Sequence, residues 1–194
     1  IKPDYVEACT NLGYTLNKLG NHKKAISYYK KAIKINPAYA DAHYFLGIAL
    51  LLLSNFNIGF NKYEWRKKSP PLKKFYDIPN LKTKEWDKED IANKSILIIS
   101  EQGLGDTIQF FRYADILQKK YKANIIFRTK KKLKHLFVKS NFKIISDQEN
   151  IPKHDYHIFL MSLPGRLFQK NKIFPKEINY IPINNKIYSS WKGR

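Results

Sequence analysis

The sequence predicts an α plus α/β chain, in which helical hairpins are followed by a unit built on a parallel sheet. In the first part, residue types recur every 34 residues (Tyr5 and Tyr39 are one such pair), a period typical of paired helices. In the second part, short apolar segments alternate with segments of helical periodicity, which favours a doubly wound parallel sheet. We therefore assign residues 1–71 to helical repeats, 72–93 to a connector and 94–194 to the α/β part.

The repeat is visible as residues of the same type at matching places. The matching pairs are Tyr5 and Tyr39, Ala8 and Ala42, Leu12 and Leu46, Gly13 and Gly47, Leu16 and Leu50, and Tyr29 and Tyr63. The period and the residue types resemble the tetratricopeptide repeat, with about two copies, over 6–39 and 40–69, that we expect to end a longer array. Gly13 and Gly47 are predicted to let the helices of each hairpin cross closely. Arg66 replaces an expected small residue, so the second copy is degenerate.

Two roles are open for these repeats. The concave face of such an array is a binding surface, so a protein or peptide partner is one prediction. The alternative is a spacer that packs against the next unit. Trp65 and Trp86 flank the connector, and we expect them to pack the repeats onto the α/β part because Trp is too large to be left exposed without a reason.

The chain is strongly basic, with 36 Lys and Arg against 16 Asp and Glu and a formal charge of +20. Such a field attracts phosphates, nucleic acids or anionic membrane surfaces. The excess is mostly lysine and accompanies heavy use of Ile and Asn, so a compositional origin is the other explanation. Proteins that read nucleic-acid bases use arginine, which is sparse here, so a nucleic-acid partner is not favoured.

Cysteine count and hydropathy limit the class of protein further. Cys9 is the single cysteine, which excludes internal disulfides and cysteine zinc sites. The longest apolar run, Tyr44 to Leu53, is too short to span a bilayer, so we expect no transmembrane segment. A soluble, cytoplasmic protein is the resulting expectation.

The α/β part opens with a strand, a turn and a helix. Ile96–Ile99 is an apolar, β-branched run typical of a strand that is covered on both faces. Gly103 and Gly105 are expected to supply a positive φ or close backbone approach in the turn. Asp106 is predicted to be the N-cap of the helix, with Gln109 as its capping-box partner. Open α/β sheets bind ligands at such a turn.

The alternation of strands and helices continues along the rest of the chain. Further strands are predicted over Asn124–Arg128, Phe142–Ile145, Tyr156–Leu160 and Tyr180–Ile183, with a basic amphipathic helix over Lys130–Ser140. The last of these strands is the weakest because it contains a proline. Together these segments predict a Rossmann-like parallel sheet.

Three motifs indicate a family. Tyr63-Glu64-Trp65-Arg66, the run from Glu101 to Tyr113 and the run from Asp155 to Pro164 resemble bacterial tetratricopeptide-repeat proteins with a C-terminal glycosyltransferase domain. That domain is similar to the heptosyltransferases (glycosyltransferase family 9) and, more distantly, to O-linked GlcNAc transferases. The resemblance implies the GT-B fold, two Rossmann-like halves with the active site between them. This chain has length for the N-terminal half alone.

The resemblance also implies the activity, which is inverting, metal-independent transfer of a sugar from a nucleotide-sugar donor to a glycan, lipid-linked or protein acceptor. In this family the N-terminal half mainly contacts the acceptor, and the C-terminal half mainly holds the donor. No cofactor is implied, since the nucleotide sugar is a substrate. We expect no metal site, because His154 and His157 are the only close histidine pair and no carboxylate cluster accompanies them.

Two hypotheses therefore follow for the whole protein. The first is a glycosyltransferase of which this segment, lacking the donor half, is inactive by itself. The second is a non-catalytic scaffold for protein–protein interaction that carries a degenerate glycosyltransferase-like domain.

Asp106 and Glu101 are the catalytic candidates. Asp106 matches the aspartate proposed as general base in heptosyltransferase-like enzymes, and a carboxylate suits removal of the proton from an acceptor hydroxyl. The other interpretation of Asp106 is a plain helix cap. Glu101 is the alternative acid/base, or else a residue whose hydrogen bond fixes the turn.

Five residues are predicted to bind substrate. Gly103, Leu104 and Gly105 shape the turn, and their N–H groups are candidates for holding a phosphate. Gln109 and Arg112 lie one helical turn apart and are predicted to face the cleft, unless Arg112 pairs with a nearby acidic side chain.

Overall fold

A computed structural model of the protein describes residues 5–79, 81–138, 140–168, 180, 181 and 189. The chain divides into two compact units, Ile1–Asn80 and Leu81–Arg194. The first unit is helical and the second contains a parallel sheet, so the predicted class, helical repeats followed by an α/β portion, is confirmed.

The helical unit consists of two hairpins. Its four helices are α1 (Val6–Lys18), α2 (His22–Ile35), α3 (Ala40–Leu52) and α4 (Phe56–Tyr63), followed by short 3-10 turns over Glu64–Lys68 and Lys73–Phe75. Helix α3 packs on α2 as well as on α4, so the second hairpin stacks on the first. The interior is small and apolar, with Ala25, Tyr29, Leu46, Ala49 and Leu50 in one cluster and Cys9, Ala32 and Ala42 in another.

Gly13 and Gly47 occupy the two helix crossings, as predicted. A Cβ atom at Gly13 would lie 2.6 Å from Cε1 of Tyr29, and one at Gly47 would lie 2.5 Å from the backbone nitrogen of Tyr63. Real Cβ atoms do not approach other atoms so closely. Each hairpin therefore depends on a glycine at its crossing because the facing helix occupies the space of a side chain.

The Glu64–Arg66 ion pair closes the second hairpin. Arg66 is fully buried, its Nη1 lies 2.7 Å from Oε1 of Glu64, and its guanidinium lies over the ring of Tyr63. Burial by itself raises the pKa of Glu64, but the charges of Arg66 and Lys67 outweigh that effect and lower it to about 2. The pair therefore stabilises the fold fully above about pH 4.5 and loses that contribution as the pH falls towards 2. Arg66, which departs from the repeat pattern, is therefore a buried residue that forms an ion pair with Glu64 at the end of the second hairpin.

In the part of the α/β unit that the structure describes, five parallel strands form the sheet. They are β1 (Lys84–Glu85), β2 (Ser95–Ile99), β3 (Asn124–Thr129), β4 (Lys143–Ser146) and β5 (Tyr156–Phe159), in the spatial order β1-β5-β2-β3-β4. Its helices are α5 (Leu104–Phe110), α6 (Arg112–Tyr121), α7 (Lys131–Phe137) and α8 (Leu163–Leu167). The fifth strand predicted over 180–183 lies partly outside the described residues, and Tyr180 and Ile181 are not in a strand.

An aromatic cluster joins the helices to the sheet. The ring of Phe111, between α5 and α6, lies 4.8 Å from Phe127 of β3 and 4.2 Å from Phe137 of α7. All three side chains are essentially buried, as are Ile96 and Ile98 on the neighbouring strand. Burying such side chains contributes roughly 1.5–3 kcal/mol each, so this cluster fixes α5 above the end of β2.

The stretch 72–93, predicted as a connector, supplies parts of the α/β unit. Strand β1 pairs with β5 through Lys84 and Tyr156. Trp86 is fully buried in the core of this unit, and its Nε1 donates a hydrogen bond to the carbonyl of Glu89. Trp65 stacks on His43, with ring centroids 3.9 Å apart, inside the helical unit. Each of the two tryptophans thus packs within its own unit.

Replacing Gly47 by alanine tests the helix crossing. The added methyl group meets the backbone of α4, so we expect Gly47→Ala to lower the free energy of unfolding by about 1–3 kcal/mol. Gly105→Ala is the matched control, because a Cβ there has no atom within 4 Å, and alanine is favoured over glycine in a helix by about 1 kcal/mol. Urea unfolding followed by circular dichroism measures both variants. Equal stability of the two would contradict the close crossing.

The ionic closure is tested by a double-mutant cycle. Glu64→Gln removes a carboxylate charge that pairs with the buried guanidinium of Arg66, and we expect a loss of about 2–3 kcal/mol. Adding Arg66→Met removes the buried charge as well and should recover most of this loss. The same urea titration gives both values. A double variant as unstable as the sum of the two single variants would show that the ion pair has no such role.

Candidate functional site

The candidate site lies at the carboxyl ends of β2 and β5. From β2 the chain moves outward to β3 and β4, and then returns to pair β5 with the other side of β2. The strand order therefore reverses between β2 and β5. In open parallel sheets, ligands bind in the crevice outside the strand ends at such a switch point. The segments that follow these two strands, 100–103 and 160–164, form the floor of this site.

Glu101 ties the two strand ends together. Its side chain is only 2% exposed, and its Oε1 accepts a hydrogen bond of 2.9 Å from the backbone N–H of Met161. The bond spans the switch point, because Glu101 follows β2 and Met161 follows β5. We predicted that Glu101 is either an acid/base or a residue whose hydrogen bond fixes the turn. The structure shows such a hydrogen bond, and it joins the turn after β2 to the segment after β5. The acid/base alternative stays a prediction.

The turn adopts its left-handed conformation at Gln102 and not at a glycine. Gln102 has φ of 57°, whereas Gly103 has φ of −83°. Of the two predicted uses of Gly103 and Gly105, the positive φ is wrong, since among the described glycines only Gly20 has one, and the close backbone approach stays a prediction. A left-handed residue other than glycine costs about 1–2 kcal/mol, so the surrounding contacts must hold Gln102 in place.

Lys130 supplies one of those contacts. Its Nζ lies 3.3 Å from the carbonyl oxygen of Gln102 and donates a hydrogen bond to it. Lys130 directly follows β3, so the turn is held from β3 by Lys130 and from β5 through Glu101. Sequence reasoning did not select Lys130 as a site residue. Lys130 could have been found from the sequence because it closely follows a predicted strand that we expect to lie next to β2.

Asp106 stands at the third position of α5. The helix begins at Leu104 with Gly103 as its N-cap, so the prediction of Asp106 as N-cap is wrong. The carboxylate reaches back instead, and its Oδ2 accepts a 3.1 Å hydrogen bond from the N–H of Gly103. A Cβ at Gly103 would lie 2.8 Å from that oxygen, so a side chain there would displace the carboxylate from this position. Asp106 is half-buried, and Oδ1 has no hydrogen-bond partner among the described residues.

Gly105 lies in open space. A Cβ there would meet no atom within 4 Å, and neighbouring Leu104 is 40% exposed. Glycine inside a helix costs about 1 kcal/mol relative to alanine, and packing within the described residues gives no compensating reason for it. A surface without a side chain beside Asp106 is suited to the close approach of another molecule.

Gln109 and Arg112 lie further along the same segment. Arg112 Nε donates a 2.9 Å hydrogen bond to the carbonyl of Gln109, and its guanidinium lies 4.3 Å from the ring centroid of Tyr180. The side chain of Gln109 is exposed. The structure therefore assigns Arg112 a contact with a later part of the chain, and a substrate role for both residues stays a prediction.

A histidine pair lies on β5 and on the loop before it. The Oγ1 of Thr83 is 2.9 Å from Nε2 of His154 and 3.1 Å from Nδ1 of His157. Nδ1 of His154 donates a hydrogen bond to the carbonyl of Pro152, so in the tautomer that carries its proton on Nδ1 the Nε2 atom accepts a hydrogen bond from the hydroxyl of Thr83. Within the described residues, no group of three or more His, Cys, Asp or Glu side chains is arranged to hold a metal ion.

Comparison with known proteins gives one family match and one structural likeness. Residues 6–39 match the tetratricopeptide repeat, which confirms the first predicted copy. A mutant O-GlcNAc transferase from Thermobaculum terrenum is similar to 66% of this chain, with a TM-score of 0.34 and 16% sequence identity. This chain covers 31% of that protein's length. The comparison with curated proteins finds no match. No helix of the described part is long and apolar enough to cross a membrane.

Two replacements of Glu101 separate its hydrogen bond from its charge. Glu101→Ala leaves the buried N–H of Met161 without an acceptor, so we expect a loss of about 1–3 kcal/mol of folding free energy. Glu101→Gln keeps a carbonyl oxygen at the same place and should lose much less. Urea unfolding checks both. If the two variants were equally destabilised, the bond to Met161 would not be the stabilising contact.

Proposed function

We propose that the α/β unit is the acceptor-side half of a GT-B glycosyltransferase domain similar to bacterial heptosyltransferases. The whole protein would transfer a sugar from a nucleotide-sugar donor to a glycan, lipid-linked or protein acceptor. The observation that supports this most directly is the state of Asp106. One carboxylate oxygen is held by Gly103, and the other has no partner among the described residues at the carboxyl edge of the sheet.

Asp106 is the general base in this proposal. Oδ1 accepts the proton of the acceptor hydroxyl as the hydroxyl oxygen attacks the anomeric carbon of the donor sugar. The bond between that carbon and the donor phosphate breaks, so the configuration inverts. The bond from Gly103 N–H to Oδ2 fixes the rotamer and leaves Oδ1 as the atom that faces the acceptor. Positioning of this kind supplies a large share of catalytic rate enhancement.

The neighbouring residues have binding roles in the same proposal. Gly105 leaves room for the acceptor beside Asp106, and Leu104 offers an exposed apolar contact. Gln109 and Arg112 extend this surface along the segment. Glu101 acts here as a positioning residue that holds the turn to β5. No cofactor is invoked, because the nucleotide sugar is a substrate and a second Rossmann-like half would hold most of it.

Location and partners belong to the same proposal. A nucleotide-sugar donor places the reaction in the cytoplasm of a bacterial cell. The helical repeats, which match the tetratricopeptide pattern, would select a protein or peptide partner through their concave face.

A second candidate function is a non-catalytic scaffold. The bond from Gly103 N–H to Asp106 is also what a helix-capping carboxylate makes without any chemistry. In that case the helical repeats carry the function by binding partners, and the α/β unit is a degenerate relative of the enzymes.

Asp106→Asn in the full-length protein distinguishes the two functions. The amide oxygen of Asn keeps the bond from Gly103, so the fold should persist, but it cannot take up a proton. We expect sugar transfer to fall by about 100-fold or more. Asp90→Asn is the control, since Asp90 also accepts a backbone N–H, that of Ala92, away from this turn. Undiminished transfer by Asp106→Asn would overturn the general-base assignment, and absence of transfer in the wild type would favour the scaffold.

A further inference from the structure

Exposed leucines cluster at one end of the helical unit. The turn between α1 and α2 carries Leu19, which is 71% exposed. Leu52, the last residue of α3, and Leu53, in the turn that follows, are 57% and 42% exposed. Ile58, near the start of α4, is half exposed as well. Single exposed leucines are common on protein surfaces, but a group of them at one end of a unit indicates an interaction surface.

The two turns lie side by side. They line an open pocket of about 360 Å³ whose walls are Gly20, Asn21, His22, Lys23, Lys24 and Leu53. Leu53 of the second turn therefore stands next to the start of α2, and Leu19 is the first residue of the first turn. We call residues 18–24 and 51–58 together the turn end.

The turn end is basic as well as apolar. Lys23 and Lys24 are both exposed, and neither has an ion-pair partner among the described residues. The segments 18–24 and 51–58 contain no Asp or Glu. Both lysines also stand in the first turn of α2, where the helix dipole disfavours positive charge and no acidic residue compensates. A negatively charged surface outside the molecule would relieve this repulsion.

The same position of both repeat copies carries an exposed leucine. Leu19 and Leu53 are equivalent under the 34-residue shift. Leu53 already has a neighbouring hairpin beside it, since the first turn lines the same pocket, and it still remains 42% exposed. Stacking of another hairpin is therefore not enough to bury a leucine at this place.

We propose that the turn end docks on an anionic lipid surface. The leucines enter the boundary between headgroups and acyl chains, and Lys23 and Lys24 contact the anionic headgroups, a pairing typical of interfacial membrane binding. The surface consists of protruding turns, which suits a planar partner. A single-stranded nucleic acid would need exposed aromatic rings for stacking, but Phe56, the one Phe, Tyr or Trp of the turn end, is half-buried and stacks on Phe60. The turn end contains no arginine.

Vesicle flotation with the full chain tests the proposal. We expect binding to phosphatidylcholine vesicles in which about a third of the lipid is phosphatidylserine, and little binding to phosphatidylcholine alone. Binding should weaken with added salt, because the lysine contacts are screened.

Charge position is tested with two matched variants. Lys23→Glu/Lys24→Glu and Lys30→Glu/Lys31→Glu change the net charge of the chain equally, and all four lysines are exposed on α2. We expect the first variant to bind at least about tenfold more weakly, since each lysine near an anionic surface contributes roughly fivefold, and the second to bind nearly as well as wild type. The first variant should fold normally, because Glu is favoured at a helix N-terminus.

The leucines are tested by Leu19→Ser/Leu53→Ser, with circular dichroism to confirm folding. We expect the loss of vesicle binding to persist at saturating anionic lipid, because insertion and not charge is removed. Equal loss in the two lysine variants, or full binding by the leucine variant, would overturn the proposal. Strong binding to single-stranded nucleic acid that depends on Lys23 and Lys24, without any vesicle binding, would also overturn it.

Discussion

The central position of β2 is the constraint on which the α/β unit depends. Leu97 and Ile99 are buried on one face of this strand, and Ile96 and Ile98 on the other. β3 and β5 pair with the two edges of β2, so the sheet order reverses beside this strand and the turn after β2 lies at the switch point. The turn that carries the candidate chemistry is therefore placed by burial of a strand that has no chemical role itself.

The turn after β2 is held from both neighbouring strands. Glu101 reaches the backbone beyond β5, Lys130 reaches the carbonyl of Gln102 from β3, and between them a left-handed residue is maintained at a cost of about 1–2 kcal/mol. Strained backbone of this kind persists only where the surroundings over-determine it. The result is a short helix with open space beside Gly105, in which one oxygen of Asp106 has no hydrogen-bond partner among the described residues.

The helical unit is stabilised differently from the α/β unit. Its helices approach each other closely and enclose only a small apolar core. Gly13 and Gly47 bring the helices of each hairpin together, and the buried Arg66 with Glu64 ends the second hairpin where the repeat pattern fails. With so little interior volume, large apolar side chains such as Leu19 and Leu53 remain at the turns. These exposed leucines lie beside Lys23 and Lys24, which have no ion-pair partner among the described residues. The two kinds of side chain together form a surface that is both basic and apolar.

The sequence by itself determined the period of the repeat, the glycine crossings and the alternation of strands and helices from β2 to β5, because these depend on local spacing and on burial patterns read along the chain. It also selected Glu101, Asp106 and the glycines between them as candidate site residues, and their roles stay a prediction. It did not predict β1, which lies in the stretch assigned to a connector. Only the tertiary structure decided that Gln102 takes the left-handed conformation and that Lys130 belongs to the site. Those features arise from contacts between segments about 28 to 60 residues apart, which no local pattern encodes.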